Sequence, residues 1–145
     1  GRIVREGSAL AILSLGCRLQ ESLKAADELS AKGFSVTVAD ARFAKPLDNA
    51  MIRDLATSHD ALITIEEGGP GGFGAHVLQF LAADGLLDSG LKVRSMTLPD
   101  ERIKHDTQDK QYDYSCLTAP HIVELALDVL GTKTAEGSTA KPVSA

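Results

Sequence analysis

Two segments hold the residues whose types and spacing could do chemistry. The first is Asp40-Ala41-Arg42-Phe43-Ala44-Lys45-Pro46-Leu47-Asp48. It sets a planar bidentate donor, Arg42, three residues ahead of a point charge, Lys45. Together these cations could hold a phosphate or a carboxylate. The competing reading is a salt bridge from Arg42 to Asp40, Asp48 or Glu66. Pro46 fixes its own φ and biases Lys45 toward extended geometry. The second segment is Glu66-Glu67-Gly68-Gly69-Pro70-Gly71-Gly72-Phe73-Gly74, with His76 just beyond. Gly69, Gly71 and Gly74 match the spacing of a dinucleotide-binding fingerprint. Three features argue against that use. The motif follows the third buried run rather than the first. Glu66 and Glu67 would repel a pyrophosphate. No acidic residue ends a strand about 20 residues later, where ribose recognition wants one.

The glycines have two further readings. They permit a tight turn and close backbone approach, with Gly72 expected at positive φ. Alternatively, Gly71, Gly72, Phe73 and Gly74 offer free backbone N–H groups at a helix start, which attract an anion. Glu66 or Glu67, from the same or a neighbouring subunit, could be that anion and make the segment a structural joint. Histidine titrates near neutral pH, so His76 is a candidate proton carrier, against a satisfied structural histidine. His59, His105 and His121 are scattered without metal-ligand spacing. Cys17 opens a helix, a setting that activates thiols. With no partner base in view, it reads as a buried small residue. No Ser-His-Asp arrangement, Walker loop or Cys-x-x-Cys occurs.

Both segments follow short apolar runs and precede helical patterns, as sites in open α/β sheets do. The runs Ala9 to Leu15, Phe34 to Ala39, Ala61 to Ile65 and Leu91 to Leu98 read as buried strands. Arg2 to Arg5 could add an edge strand. Leu19, Leu23, Ala26 and Leu29 form the stripe of a helix over Cys17 to Lys32, which Gly33 closes in the left-handed conformation. Asp48 is the expected N-cap of a helix over Asn49 to Ser58, with Met51, Ile52 and Leu55 inward. A helix over Ala75 to Ala83 buries Val77, Phe80 and Leu81. Thr118 and Pro120 open a last helix with Ile122, Val123, Ala126, Val129 and Leu130 inward and Gly131 at its end. The alternation predicts a three-layer α/β/α domain with a mostly parallel sheet of about five strands. One folded domain over 1–131 and a disordered tail over 132–145 are expected, because the tail has almost no large apolar group.

Composition narrows the functional classes. The 145 residues carry a net charge of −5, with 43 % hydrophobic and 24 % charged residues. There is no basic stripe and no Trp, so a nucleic-acid partner is not expected. Apolar runs are too short to span a membrane, and the N-terminus has no signal-peptide core. Two cysteines fall short of a disulfide framework and fit a reducing compartment. A start at Gly1 rather than Met suggests a processed chain or a piece of a longer one.

At these residues the chain resembles the C-terminal domain of the 1-deoxy-D-xylulose-5-phosphate synthases, in the transketolase family. The matching stretches are Gly1-Arg2-Ile3-Val4-Arg5-Glu6-Gly7, Val38 to Phe43 with Lys45 to Asp48, and Glu66 to Gly68 with Gly71 to Gly74. His76 to Leu81, Asp84-Gly85 and Leu98-Pro99-Asp100 also fit. The resemblance runs from Gly1 to about Gly131. Departures lie at Glu101-Arg102, where the family has Arg-Phe, at Gly69-Pro70, and over Asp109 to Cys116.

The resemblance implies a dimeric enzyme that joins pyruvate to glyceraldehyde 3-phosphate with loss of carbon dioxide. Its product feeds isoprenoid, thiamine and pyridoxal synthesis. The implied location is the bacterial cytoplasm or the plastid stroma. Thiamine diphosphate and magnesium would lie between the two domains that precede this one. This chain lacks the Gly-Asp-Gly motif of that site, so no catalytic, cofactor-binding or metal-binding residue is expected in it. The expected partners are the upstream domains and a second subunit. Arg42, Lys45, Glu66, Glu67, Gly71, Gly72, Phe73, Gly74 and His76 are the candidate interface or anion contacts. The alternative is a free-standing α/β domain that binds a nucleotide or other anion at its Gly-rich loop.

Overall fold

A computed structural model describes residues 1–132 of the chain. The expected tail falls, but for Thr132, outside the described residues. Five strands form one sheet in the order β1-β3-β2-β4-β5. They are β1 (Arg2–Arg5), β2 (Leu10–Ser14), β3 (Val36–Asp40), β4 (Ala61–Ile65) and β5 (Lys92–Met96). Strands β2 to β5 are parallel, and β1 pairs antiparallel with β3 at the edge. The helices are α1 (Leu19–Ala31), α2 (Asn49–Ser58), α3 (Phe73–Ala83), α4 (Gln108–Tyr114) and α5 (Ala119–Val129), with a single 3-10 turn at Gly16–Arg18.

The central strands β2 and β4 are buried along their whole length. A parallel strand covered on both faces is apolar at nearly every position, which is why Leu-Ala-Ile-Leu and Ala-Leu-Ile-Thr-Ile lack the alternation of a half-solvated strand. Leu10, Ile12, Val36, Val38, Ile63 and Ile65 pack on one face against α1 and α5. Ala11, Leu13, Ala39 and Leu62 pack on the other against α2 and α3. Each fully buried Leu or Ile contributes about 1.5–3 kcal/mol relative to exposure.

Helix ends follow local chemistry. Gly33 (φ 90°) and Gly131 (φ 75°) adopt the left-handed conformation just past α1 and α5. Asp48 caps α2 by accepting the Met51 amide at 3.0 Å. Helix α4 was not expected from sequence. Its Gln-Asp-Lys-Gln-Tyr-Asp-Tyr has no apolar stripe and no fully buried residue.

The chain runs from β2 to β3 on one side of β2, then crosses to β4 on the other. The strand order therefore reverses at β2/β4. All parallel strands end on the same edge, so the loops after β2, β3, β4 and β5 meet there. Among the described residues no helix is long and apolar enough to cross a membrane.

Candidate functional site

The Gly-rich segment leaves β4 at this edge and turns into α3. Glu66 is buried, 5 % exposed. Its carboxylate accepts the Phe73 amide at 3.0 Å and the Gly74 amide at 2.8 Å. These are free donors of the first turn of α3, whose N-cap Gly72 has no side chain to satisfy them. A negative carboxylate at a helix N-terminus is also favoured by the helix dipole. Of the readings the sequence leaves open for this turn, the structure holds the one in which the chain's own Glu66 is the anion at the helix start. A phosphate would have to displace it, so the loop offers no dinucleotide pyrophosphate cradle.

Two glycines wrap this carboxylate. A Cβ on Gly72 would lie 2.5 Å from Glu66 Oε2 and 2.9 Å from Oε1. A Cβ on Gly68 would also overlap Oε2. Gly72 was expected at positive φ. Its φ is −80°, and the residue of this turn at positive φ is Gly71, at 92°. Gly72 is required by close approach, not by backbone handedness. Gly74 packs the helix onto the sheet, since a Cβ there would meet Thr64 Oγ1 at 2.7 Å and Ser95 Oγ at 2.9 Å.

Glu67, the neighbour of Glu66, turns the other way. Its Oε1 lies 3.1 Å from Arg18 Nε, without the alignment of a directed hydrogen bond, so charge holds the pair. Arg18 comes from the turn after β2, and its guanidinium stacks 3.5 Å from the ring centroid of Tyr112 in α4. Burial pushes the Glu67 carboxyl up, but hydrogen bonds from Cys17 and Tyr112 and the charge of Arg18 outweigh it and hold the group below the usual glutamate range. The same bond to Glu67, with burial, raises the Tyr112 hydroxyl. The crevice where the strand order reverses is therefore crossed by an Arg18–Glu67 pair. A shallow cleft of about 260 Å³ beside it is lined by Glu67, Leu98, Ile103, Gln108, Gln111 and Tyr112. Sequence reasoning missed Arg18 and Tyr112. Only Arg18's place just past a strand end could have flagged it. Cys17, read as buried, is exposed.

In the loop after β3, Arg42 does not make the expected salt bridge. Each of the three acids proposed for it is engaged elsewhere. Asp40 meets Arg2 Nε at 3.1 Å and the Arg42 backbone amide at 3.1 Å. Asp48 takes the Met51 amide at 3.0 Å and the Gly1 nitrogen at 2.9 Å. Glu66 is bound to α3. Arg42 and Lys45 are exposed, and neither side chain has an acidic partner among the described residues. Arg42 has φ 61°, which a residue with a Cβ rarely adopts. The Asp40 carboxylate and a tight turn from the Phe43 amide to Ala41 O, 2.7 Å, hold it there. Phe43 is 63 % exposed. The Lys45–Pro46 bond is cis.

Lys45 and His76 come together in an open, mostly apolar cleft of about 380 Å³, with Leu47, Asn49, Gln79 and Phe80. The other histidines are structural or exposed. His59 contacts Thr37 Oγ1 at 2.9 Å and Leu55 O at 3.0 Å, His121 contacts Thr118 Oγ1 at 2.7 Å, and His105 is exposed. No group of three or more His, Cys, Asp or Glu side chains among the described residues is placed to hold a metal ion.

The sequence profile of the family described as "Transketolase, C-terminal domain" matches residues 1–122. Among solved structures, the fold is similar to a split-gene transketolase described as an inactive β4 tetramer, with a TM-score of 0.80 and 25 % identity over 92 % of this chain. The chain spans 43 % of that protein's length. The matched span runs from β1 into α5 and takes in the Arg42 loop, the Glu66 site and the Arg18–Glu67 pair. The chain belongs to the transketolase C-terminal domain family.

Proposed function

We propose that this chain is the non-catalytic C-terminal domain of a 1-deoxy-D-xylulose-5-phosphate synthase, and that it serves domain and subunit assembly. The observation that carries the reading is the Glu66 carboxylate on the Phe73 and Gly74 amides. The helix start best suited to a cofactor's phosphates is spent on the fold itself. The described residues do not fit thiamine diphosphate and magnesium. Magnesium needs hard oxygen ligands together with the phosphates, and the described residues offer no metal-ligand cluster. The cofactor belongs, on this reading, to the preceding domains of a transferase in the bacterial cytoplasm or plastid stroma.

The motifs Val38 to Asp48 and Glu66 to Gly74 support the synthase within the family. The similar split-gene transketolase, whose β4 tetramer is described as inactive, fits the idea that part of such an enzyme assembles without activity. The second reading, a free-standing domain that binds a nucleotide or other anion at the Gly-rich loop, is not favoured, because Glu66 already takes those donors. The test is the enzyme that carries this domain, supplied with thiamine diphosphate and magnesium. Carbon dioxide release from pyruvate that depends on glyceraldehyde 3-phosphate is expected. Absence of pyruvate turnover under those conditions rules out the synthase.

A further inference from the structure

We infer that residues 99–114 form a hinged strap, fastened at Tyr112, that lifts as one unit from the crevice where the strand order reverses and bares Arg18 and Glu67 while the sheet stays folded. The inference does not depend on the activity proposed above. Burial sets the strap apart from the rest of the fold. Met96 and Ser115 are buried, and no residue between them is. A segment without buried apolar groups has little to offset its ordering entropy, so it opens at low cost. The strap is nevertheless braced within itself. Gln111 Nε2 donates to Lys104 O at 3.1 Å, the Tyr114 hydroxyl donates to Glu101, and Lys110 pairs with Asp106 at 3.3 Å. These contacts tie the loop to α4, so the two move together.

Tyr112 fastens the strap to the body. Its ring centroid lies 3.5 Å from the Arg18 guanidinium carbon. Its hydroxyl donates to Glu67 and accepts from Gln108 Nε2 at 3.0 Å. The two body groups are loosely held even when the strap is closed, because Arg18 Nε and Glu67 Oε1 stand 3.1 Å apart without a directed hydrogen bond. Arg18 is only 9 % exposed, and the Tyr112 ring is part of its cover. Both ends of the strap are anchored. At the front, the Leu98 amide donates to Gly68 O at 2.9 Å. At the back, Leu117 is fully buried, and Cys116 at φ 57° makes the bend into it. A few end positions of this kind absorb the backbone change of a hinge. The cleft of about 260 Å³ lies between Glu67 of the body and Ile103, Gln108 and Gln111 of the strap, so the cover is already incomplete. Open α/β sheets take their ligands at this point of the topology, and the strap governs entry to it.

The test is native-state hydrogen exchange on the 145-residue chain, together with labelling of Arg18 by phenylglyoxal, read site by site by mass spectrometry. Two variants separate the strap from the core. Tyr112→Leu loosens the fastening, and Ile52→Val trims a core side chain on α2 that is 1 % exposed. Tyr112 is only partly buried and Ile52→Val removes one carbon, so both variants fold. In the unaltered chain, α4 amides such as Gln111 are expected to be protected, yet to exchange at least about a hundredfold faster than Ile12 and Ile63 and independently of low denaturant. Tyr112→Leu should speed α4 exchange and Arg18 labelling by the same factor, about tenfold. Ile52→Val should speed exchange in β2 and β4 and leave α4 exchange and Arg18 labelling unchanged, because the open strap keeps that core. Exchange of α4 at the rate of the strands, or no protection of α4 at all, overturns the inference. Labelling of Arg18 that follows the strands, or a Tyr112→Leu variant with unaltered α4 exchange, overturns it as well.

Discussion

Removing the Glu66 carboxylate should be among the most damaging single changes in the domain, and its effect should be inseparable from Gly72. Glu66→Ala strands the Phe73 and Gly74 amides in a site that is 5 % exposed. Hydrogen bonds to a charged group are worth about 1.5–3 kcal/mol each, and the helix-dipole contribution is about 0.3–1 kcal/mol more. Because the two bonds share one carboxylate, they do not add fully, and the expected loss is roughly 3–5 kcal/mol. At this chain length 1 kcal/mol moves Tm by about 3–5 °C, so a fall of roughly 10–20 °C is expected. Glu66→Gln keeps one acceptor but turns an NH2 toward the other amide, and about half the loss is expected. Gly72→Ala forces a Cβ to 2.5 Å from Glu66 Oε2, and all three of its nearest contacts belong to Glu66. In the Glu66→Ala background that clash disappears. Chemical denaturation of the two single variants and the double variant should give a coupling of at least about 1 kcal/mol, with the double less damaging than the sum. Additivity within about 0.5 kcal/mol would refute the claim that Gly72 exists to admit the carboxylate.

Two further changes test other contacts. Asp48→Ala removes the cap on the Met51 amide and should cost about 1 kcal/mol by denaturant midpoint, with an unchanged m-value. Glu67 has a carboxyl held below its ordinary range, so its contribution is full above the unfolded value and is lost as pH falls through the folded one. The stability gap between wild type and Glu67→Gln, read by thermal melts, should therefore be present at pH 7 and close below about pH 4.3, the ordinary glutamate value. A gap that persists unchanged to pH 3 would show that the Arg18 contact contributes nothing through charge.

Much of the architecture was legible because period and burial agree. Arg2–Arg5, Ala61–Ile65 and Asn49–Ser58 match expectation residue for residue. A β-branched run between breakers can be little else, and Asp48 marks the helix start chemically. The ends of β2, β3 and β5 shifted by one or two residues, as at Lys92–Met96 against the expected Leu91 to Leu98. Helix α3 begins at Phe73, earlier than the expected Ala75, because Glu66 supplies from seven residues upstream the cap that the local sequence lacks. Helix α4 was invisible because tertiary contacts such as Tyr112 on Arg18 hold it, not an apolar stripe. At the site, the idea of a carboxylate on the Gly-rich turn was available from sequence; which of Glu66 and Glu67 plays the part was not. Alternation of strand residues sends one inward and the other toward Arg18, and only the sheet fixes which. The missing Arg42 salt bridge shows the same limit, since three nearby acids were each claimed by donors that spacing alone does not reveal.

The central claim is that this domain carries assembly surfaces and no cofactor site of its own. Titration calorimetry of the 145-residue chain with thiamine diphosphate and magnesium tests it most directly. The account predicts no binding heat up to about millimolar ligand, the weak end of the affinity scale, with Glu66 still protecting the Phe73 and Gly74 amides from hydrogen exchange. Saturable binding tighter than that, accompanied by a change in protection at those two amides, would contradict it.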